Sequence, residues 1–217
     1  MSQGKTIIMD TTRCTACRGC QIACKQWNAL PGTKTSQRGT YQNPADLEYS
    51  TWKVVRFSEG LKEDGKPYWY FFSDQCRHCI TPPCKLASDG TDPKAIIQDP
   101  DTGAVIPAKT PFKGKFLDVR QACPYDIPRQ DEKSKVMAKC TMCLDRIQGG
   151  TIPACVKSCP TGSLTFGERD EMIKAAEARV AQLKTDNPKA QALDLYDVRV
   201  VFIVADDPKK YHKFAKS

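Results

Sequence analysis

The spacing of twelve cysteines restricts this 217-residue chain more than any other feature. The first group, Cys14, Cys17, Cys20 and Cys24, is spaced C-x2-C-x2-C-x3-C. The last, Cys140, Cys143, Cys155 and Cys159, is spaced C-x2-C-x11-C-x3-C and is followed by proline. Between them lie Cys76, Cys79 and Cys84, spaced C-x2-C-x4-C. Cys123, in "ACPYDIPR", stands alone between Cys84 and Cys140.

Three cysteines at intervals of three can wrap one corner of a cubane iron–sulfur cluster, each thiolate holding a different iron. A fourth, one helical turn on, points elsewhere, and in two-cluster ferredoxins it ligates the other cluster. Applied to the first and last groups, that exchange gives two complete sites. Cys14, Cys17, Cys20 and Cys159 form one; Cys24, Cys140, Cys143 and Cys155 form the other. The middle group needs one more thiolate, and Cys123 is the cysteine left, so Cys76, Cys79, Cys84 and Cys123 make a third. Three [4Fe–4S] clusters are therefore expected. Zinc sites are usually built from two separated ligand pairs, and disulfides suit small secreted chains, so both fit this spacing less well. A zinc-stabilised interaction module remains the alternative.

The composition, with 40% hydrophobic and 27% charged residues, is that of a folded chain. A formal net charge of +8 invites a nucleic-acid partner, but the basic residues are dispersed and form no recognised binding motif. Three clusters, each roughly −2 oxidised and −3 reduced with its thiolates, would bring that charge to about +2 or about −1. Arg13, Arg18, Lys25, Arg77, Lys139 and Lys157 flank ligand cysteines, where solvated charge and cluster neutralisation are both open readings. No nucleophile–base set and no phosphate-cradling glycine loop is present, so neither catalysis nor a bound nucleotide or pterin is expected of this chain. No apolar run is long enough to span a bilayer. The first residues lack the pattern of a signal peptide, so a soluble protein without its own export signal is expected.

Local patterns place the cysteines among strands and helices. "KTIIMD" reads as a strand leading into the first ligand loop and then a helix. "WKVVRF", "YWYFF" and "SLTF" read as strands, and "AIIQDPDTGAVI" as a hairpin about a glycine-containing turn. Residues 169–184 carry Met172, Ile173, Ala176, Val180 and Leu183 at helical spacing. "VRVVFIV" after them reads as a core strand. His78 is a candidate hydrogen-bond donor to cluster sulfur. Trp27, Tyr68, Trp69 and Tyr70 are candidates for shielding clusters, with ordinary core packing as the alternative. Pro124 and Pro160 end their ligand turns, and Pro83 is expected to bias the segment at Cys84 away from helix.

"CTACRGCQIACKQWNALP", "CRHCITPPC", "CPYDIPR" and "CTMCLDRI…PACVKSCPTGSLTFG" resemble the iron–sulfur β subunit of molybdenum- or tungsten-dependent formate dehydrogenases. The resemblance runs over about residues 5–168 and is closest to the soluble three-cluster form. The wider group includes electron-transfer subunits of other molybdopterin oxidoreductases, which are the alternative. Relatives with four clusters imply a further cysteine at position 88 and a run at 113, 116 and 119. Ser88, Lys113, Phe116 and Val119 stand there instead, so Cys123 resembles the remaining crossover ligand of a lost motif.

The resemblance implies an α+β fold of two ferredoxin-like cluster-binding units with inserted loops and a C-terminal helix–strand extension. The units are expected at 1–24 plus 125–168, with two clusters, and at 52–124, with one. Residues 25–51 would be an inserted loop and 169–217 the extension. The resemblance also implies a larger catalytic subunit holding pterin-bound tungsten or molybdenum, in a soluble heterodimer, and an external carrier such as a cytochrome c or a ferredoxin. By it the Cys14 cluster receives electrons, the Cys24 cluster follows and the Cys76 cluster is the exit. Export to the periplasm with the partner is expected, with the cytoplasm as the alternative.

Overall fold

A computed structural model describes residues 4–217. Its centre is a four-stranded sheet drawn from both ends of the chain. The strands are β1 (Lys5–Asp10), β8 (Leu164–Glu168), β9 (Gln191–Leu193) and β10 (Val200–Val204), in the order β8-β1-β10-β9. β1 and β10 run parallel, with Ile7 opposite Val200, while the two edge strands pair antiparallel. All five residues of β10 are buried, as a strand covered on both faces requires.

Alternation along these strands sorts the core into two layers. Ile8 and Ile203 point to one face and pack with Met172 and Ala176 of helix α6 (Arg169–Lys184). Ile7, Met9, Phe202 and Val204 point to the other, where they meet Val55, Phe72, Cys20, Met142 and Cys155. One face of the sheet is thus roofed by a helix and the other carries cysteines.

The long hairpin of β2 (Val54–Leu61) and β3 (Pro67–Asp74) lies on the cysteine side. Its Phe72 ring stacks on Phe202 at a centroid distance of 4.2 Å. A smaller hairpin pairs β4 (Ile96–Gln98) with β5 (Val105–Pro107), and a short ribbon pairs β6 (Arg129–Gln130) with β7 (Met137–Ala138). In the β4–β5 turn Gly103 has φ +74°, a left-handed conformation that glycine adopts without strain. The remaining helices are short: α1 (Gly19–Trp27), α2 (Pro83–Asp89), α3 (Phe116–Gln121), α4 (Leu144–Gln148) and α5 (Ala154–Lys157). The mixed α and β architecture with ferredoxin-like ligand loops agrees with the α+β expectation.

Pro83 departs from the reading of the sequence. It is the first residue of α2, where a missing N–H costs nothing, and the extended residue before it is Pro82. No helix among the described residues is long and apolar enough to cross a membrane.

Candidate metal centres

All twelve cysteines are free thiols, and they converge in three places. Cys14, Cys17, Cys20 and Cys159 line one cavity with Arg18, Met9 and Leu164. Cys76, Cys79, Cys84 and Cys123 line another with Arg77, Lys139 and Tyr125. Cys24, Cys140, Cys143 and Cys155 sit close enough for their thiolates to repel one another. Cys20 is also close to Cys24 and Cys155, and Cys140 is close to Cys76. The three groups therefore follow one another, with the Cys24 group in the middle.

Burial follows that order. Cys24, Cys140, Cys143 and Cys155 are all buried. Cys17 is exposed and Cys14 and Cys159 are half-buried at one end, while Cys79 and Cys123 are half-buried at the other. An enclosed group lies between two that approach the surface.

The same backbone device recurs at each leading cysteine. The residue two positions on is left-handed without being glycine: Ala16 at φ 53°, His78 at 49° and Met142 at 58°. This conformation turns its amide back on the preceding thiol. His78 N donates to Cys76 Sγ at 3.4 Å and Met142 N to Cys140 Sγ at 3.3 Å. The amide of Ala16 likewise bonds Cys14. Left-handed geometry at a non-glycine residue costs about 1 kcal/mol or more, and such strain collects at functional sites.

The thiols are also electrically frustrated. Burial, with repulsion from Cys20, Cys159 and Cys17 outweighing an amide bond from Ala16, pushes Cys14 up to about 11. Burial pushes Cys123 up to about 12 and Cys143 to about 11. Burial and neighbouring thiols raise Cys24, Cys79 and Cys140 further. Cys159 differs: burial is outweighed by amides of Leu164, Thr161 and Ser163 and by the Thr161 hydroxyl, so its thiol is held low. Crowded thiols of this kind ionise only around a cation, which the irons of a cluster supply. No group of His, Cys, Asp or Glu among the described residues is placed to hold a single metal ion. The thiols of the Cys14 and Cys76 groups surround cavities, which suits a polynuclear cluster. The Cys76 cavity also presents Arg77, whose Nε and Nη2 have no hydrogen-bond partner among the described residues. Donor set and environment both fit iron–sulfur clusters.

Other candidates separate clearly. The group of His78 that faces a ligand is its amide. Its imidazole is buried, with Nδ1 accepting from the Val105 amide at 2.9 Å. Trp27 is 47% exposed and lies under the Arg146 guanidinium, 4.2 Å from the ring centroid, so it shields nothing as a core residue would. Tyr70 stacks on Tyr211 at 4.4 Å, and Trp69 is exposed. Arg13 and Lys157 are exposed, whereas Arg77 and Lys139 are buried against the Cys76 cavity. Arg18 bonds the Tyr41 carbonyl, and Lys25 bonds the Ser50 carbonyl, pinning the loop before β2. Lys53, which the sequence did not single out, is also buried beside the cysteines.

The positions where a further cluster would need ligands are packed or turned outward. Ser88 is buried and bonds back to the Lys85 carbonyl, Val119 is buried, and Lys113 is exposed. Val119 and Phe116 join Phe112, Ile96 and Met137 in an apolar cluster beneath α2 and α3.

Comparison with known proteins agrees with this chemistry. Residues 67–169 match the 4Fe-4S dicluster domain family. The chain is 50% identical over 214 residues to formate dehydrogenase 2 subunit beta (cytochrome c-553) of Nitratidesulfovibrio vulgaris, covering 97% of this chain and 98% of that one. It is 51% identical over 216 residues to the formate dehydrogenase subunit beta of Megalodesulfovibrio gigas, covering 99% of each. It is 34% identical over 230 residues to the nitrate-inducible formate dehydrogenase iron-sulfur subunit of Escherichia coli, covering 96% of this chain and 71% of that one. Thiols gathered around cavities thus meet near-complete similarity to such subunits, and the chain belongs to the family of formate dehydrogenase iron–sulfur (beta) subunits, the electron-transfer partners of a catalytic chain.

Proposed function

We propose that the chain carries electrons through three [4Fe–4S] clusters between a catalytic subunit with pterin-bound tungsten or molybdenum and an external carrier. The ligand sets are Cys14, Cys17, Cys20 and Cys159; Cys24, Cys140, Cys143 and Cys155; and Cys76, Cys79, Cys84 and Cys123. The observation that carries the reading is the succession of the groups, with an enclosed one between two that reach the surface. A cluster supplies a one-electron site whose potential follows its charge, its hydrogen bonds and its exposure. The protein's part is to hold the sites in sequence, give each leading sulfur an amide, and keep water from the middle group.

The Cys14 group faces the catalytic subunit and the Cys76 group faces the carrier in this reading. The carrier is a cytochrome c, in keeping with the cytochrome c-553 in the name of the Nitratidesulfovibrio relative. The complex is a heterodimer exported to the periplasm on the catalytic subunit's signal. Anaerobic purification followed by iron, sulfide and zinc analysis tests the central claim. About 12 irons with equal sulfide per chain are expected from three cubanes. Stoichiometric zinc without sulfide would overturn it. Cell fractionation with and without the catalytic subunit's signal tests the compartment.

A further inference from the structure

Two lysines lie buried in the spaces between the cysteine groups. Lys53, just ahead of β2, is 1% exposed, and Lys139, just after β7, is 3% exposed. An ammonium in a protein interior costs several kcal/mol unless an anion is close. The other buried cations in this region have carboxylates or carbonyls: Arg56 and Arg77 pair with Asp74, and Arg129 pairs with Asp46. Neither lysine has a carboxylate within ion-pair distance among the described residues, although other lysines do. Lys53 Nζ donates to the neutral amide oxygen of Gln75. Lys139 Nζ donates to the Val105 carbonyl and stands 3.4 Å from Cys76 Sγ.

The groups around them that become anionic on binding a cluster are the ligand cysteines, and each lysine has cysteines of two groups. Lys53 interacts with Cys20 of the first group and with Cys155, Cys140 and Cys24 of the middle one. Lys139 interacts with Cys76 and Cys84 of the third group and with Cys140 of the middle one.

We propose that Lys53 and Lys139 are bridging cations of the electron path, one at each junction between clusters, each raising the potentials of the two clusters it separates. The inference rests on the three-cluster reading. Adjacent clusters carry like charge, roughly −2 or −3 each, so reducing one disfavours reducing its neighbour. A fixed positive charge between them offsets that repulsion, and in a desolvated site the attraction is strong. Both residues act through the clusters and are positioning residues.

The test is site-resolved redox titration by electron paramagnetic resonance on the intact complex. Lys53→Met should lower the midpoints of the Cys14 and Cys24 clusters and leave the Cys76 cluster unchanged. K139M should lower the Cys24 and Cys76 clusters and leave the Cys14 cluster unchanged. At the wild-type midpoint, the reduced-to-oxidised ratio of each affected cluster should fall about tenfold, equivalent to 59 mV for one electron. Full iron with unchanged midpoints, or with all three shifted alike, overturns the proposal. Should a methionine variant lose iron, the native protein supplies a second reading. Lysine labelled with 15N at Nζ should give a nitrogen coupling on the reduced Cys76 cluster, and its absence overturns the Lys139 assignment. Fewer than three centres in the wild-type complex would instead overturn the three-cluster reading, so the two failures are distinct.

Discussion

The indole Nε1 of Trp27 donates to Oδ2 of Asp145 at 2.8 Å. That bond joins the end of α1, which carries Cys24, to α4, which starts directly after Cys143. The helix of the first cysteine group is thereby held against the last group. Replacing Cys24 with alanine should therefore damage the cluster of Cys140, Cys143 and Cys155 and spare that of Cys14, Cys17 and Cys20. Cys159→Ala should do the reverse. Each variant should fall from about 12 irons per chain to about 8, or convert one cluster to a three-iron form. Site-resolved spectra decide the matter: if each change harms its own sequence neighbours, the exchange is wrong.

Ala16 gives the least obstructed test of the left-handed device, because its side chain is small and only half-buried. Glycine occupies φ 53° without strain, so Ala16→Gly should keep all clusters and change folding stability by less than about 1 kcal/mol. Ala16→Pro cannot adopt that φ and has no N–H to offer Cys14. It should lose the Cys14 cluster selectively, with the other two intact. Iron content and thermal unfolding of the two variants check both halves. Equal cluster retention in both would show that the amide is dispensable.

His212 predicts a pH dependence outside the range of ordinary carboxylates. Burial is the main cause holding its imidazole down to about 4, with Arg56 and Arg77 adding to it and Asp74 opposing. A base whose folded pKa is depressed binds fewer protons folded than unfolded. Its contribution is therefore complete above about 6.5 and is lost as pH falls from there toward about 4. The whole difference is linked to at most about 3 kcal/mol. The ring lies against Phe72 and Phe214, so His212→Phe can fill the site without a titratable group. Denaturant unfolding at pH 7.5 and 5.5, compared between wild type and H212F, should show a smaller acid loss in the variant. An equal loss would place the proton uptake elsewhere.

Family and local structure were legible in the sequence for a physical reason: ligand loops are local. A C-x2-C run bends its own backbone around a cluster, and strands such as "KTIIMD" and "VRVVFIV" declare burial through unbroken apolar runs. The placement of β10 between β1 and β9 was not legible, because parallel pairing joins residues almost two hundred positions apart. Lys53 was hidden for a similar reason. It sits in an ordinary-looking strand segment, 23 residues before the nearest later cysteine, Cys76. Only the docking of the β2–β3 hairpin on the sheet brings it among thiolates. Trp27 misled in the opposite direction, since its neighbour Cys24 is buried while the indole reaches out to Asp145.

The last prediction concerns where electrons leave. Cys79 and Cys123 are half-buried, and the adjoining helices α2 and α3 expose Leu86 and Leu117. Beside them, Lys115 is well exposed and only loosely paired with Asp118 at 3.5 Å. Lys85 is more covered and holds Asp89 at 2.7 Å, so reversing it would disturb the helix as well as the surface charge. Lys115→Glu is therefore the cleaner probe. It should slow electron delivery to the physiological carrier about three- to tenfold at low salt, because such encounters are electrostatically steered. The difference should fade at about 1 M salt, where screening acts within about 3 Å. Formate oxidation with a small artificial dye should persist, since a dye reaches clusters without that docking surface. The measurement is stopped-flow reduction of the carrier by the intact complex at several ionic strengths. If K115E is without effect while charge reversal beside the exposed Cys17 loop stops carrier reduction and leaves the subunits associated, electrons leave from the Cys14 end.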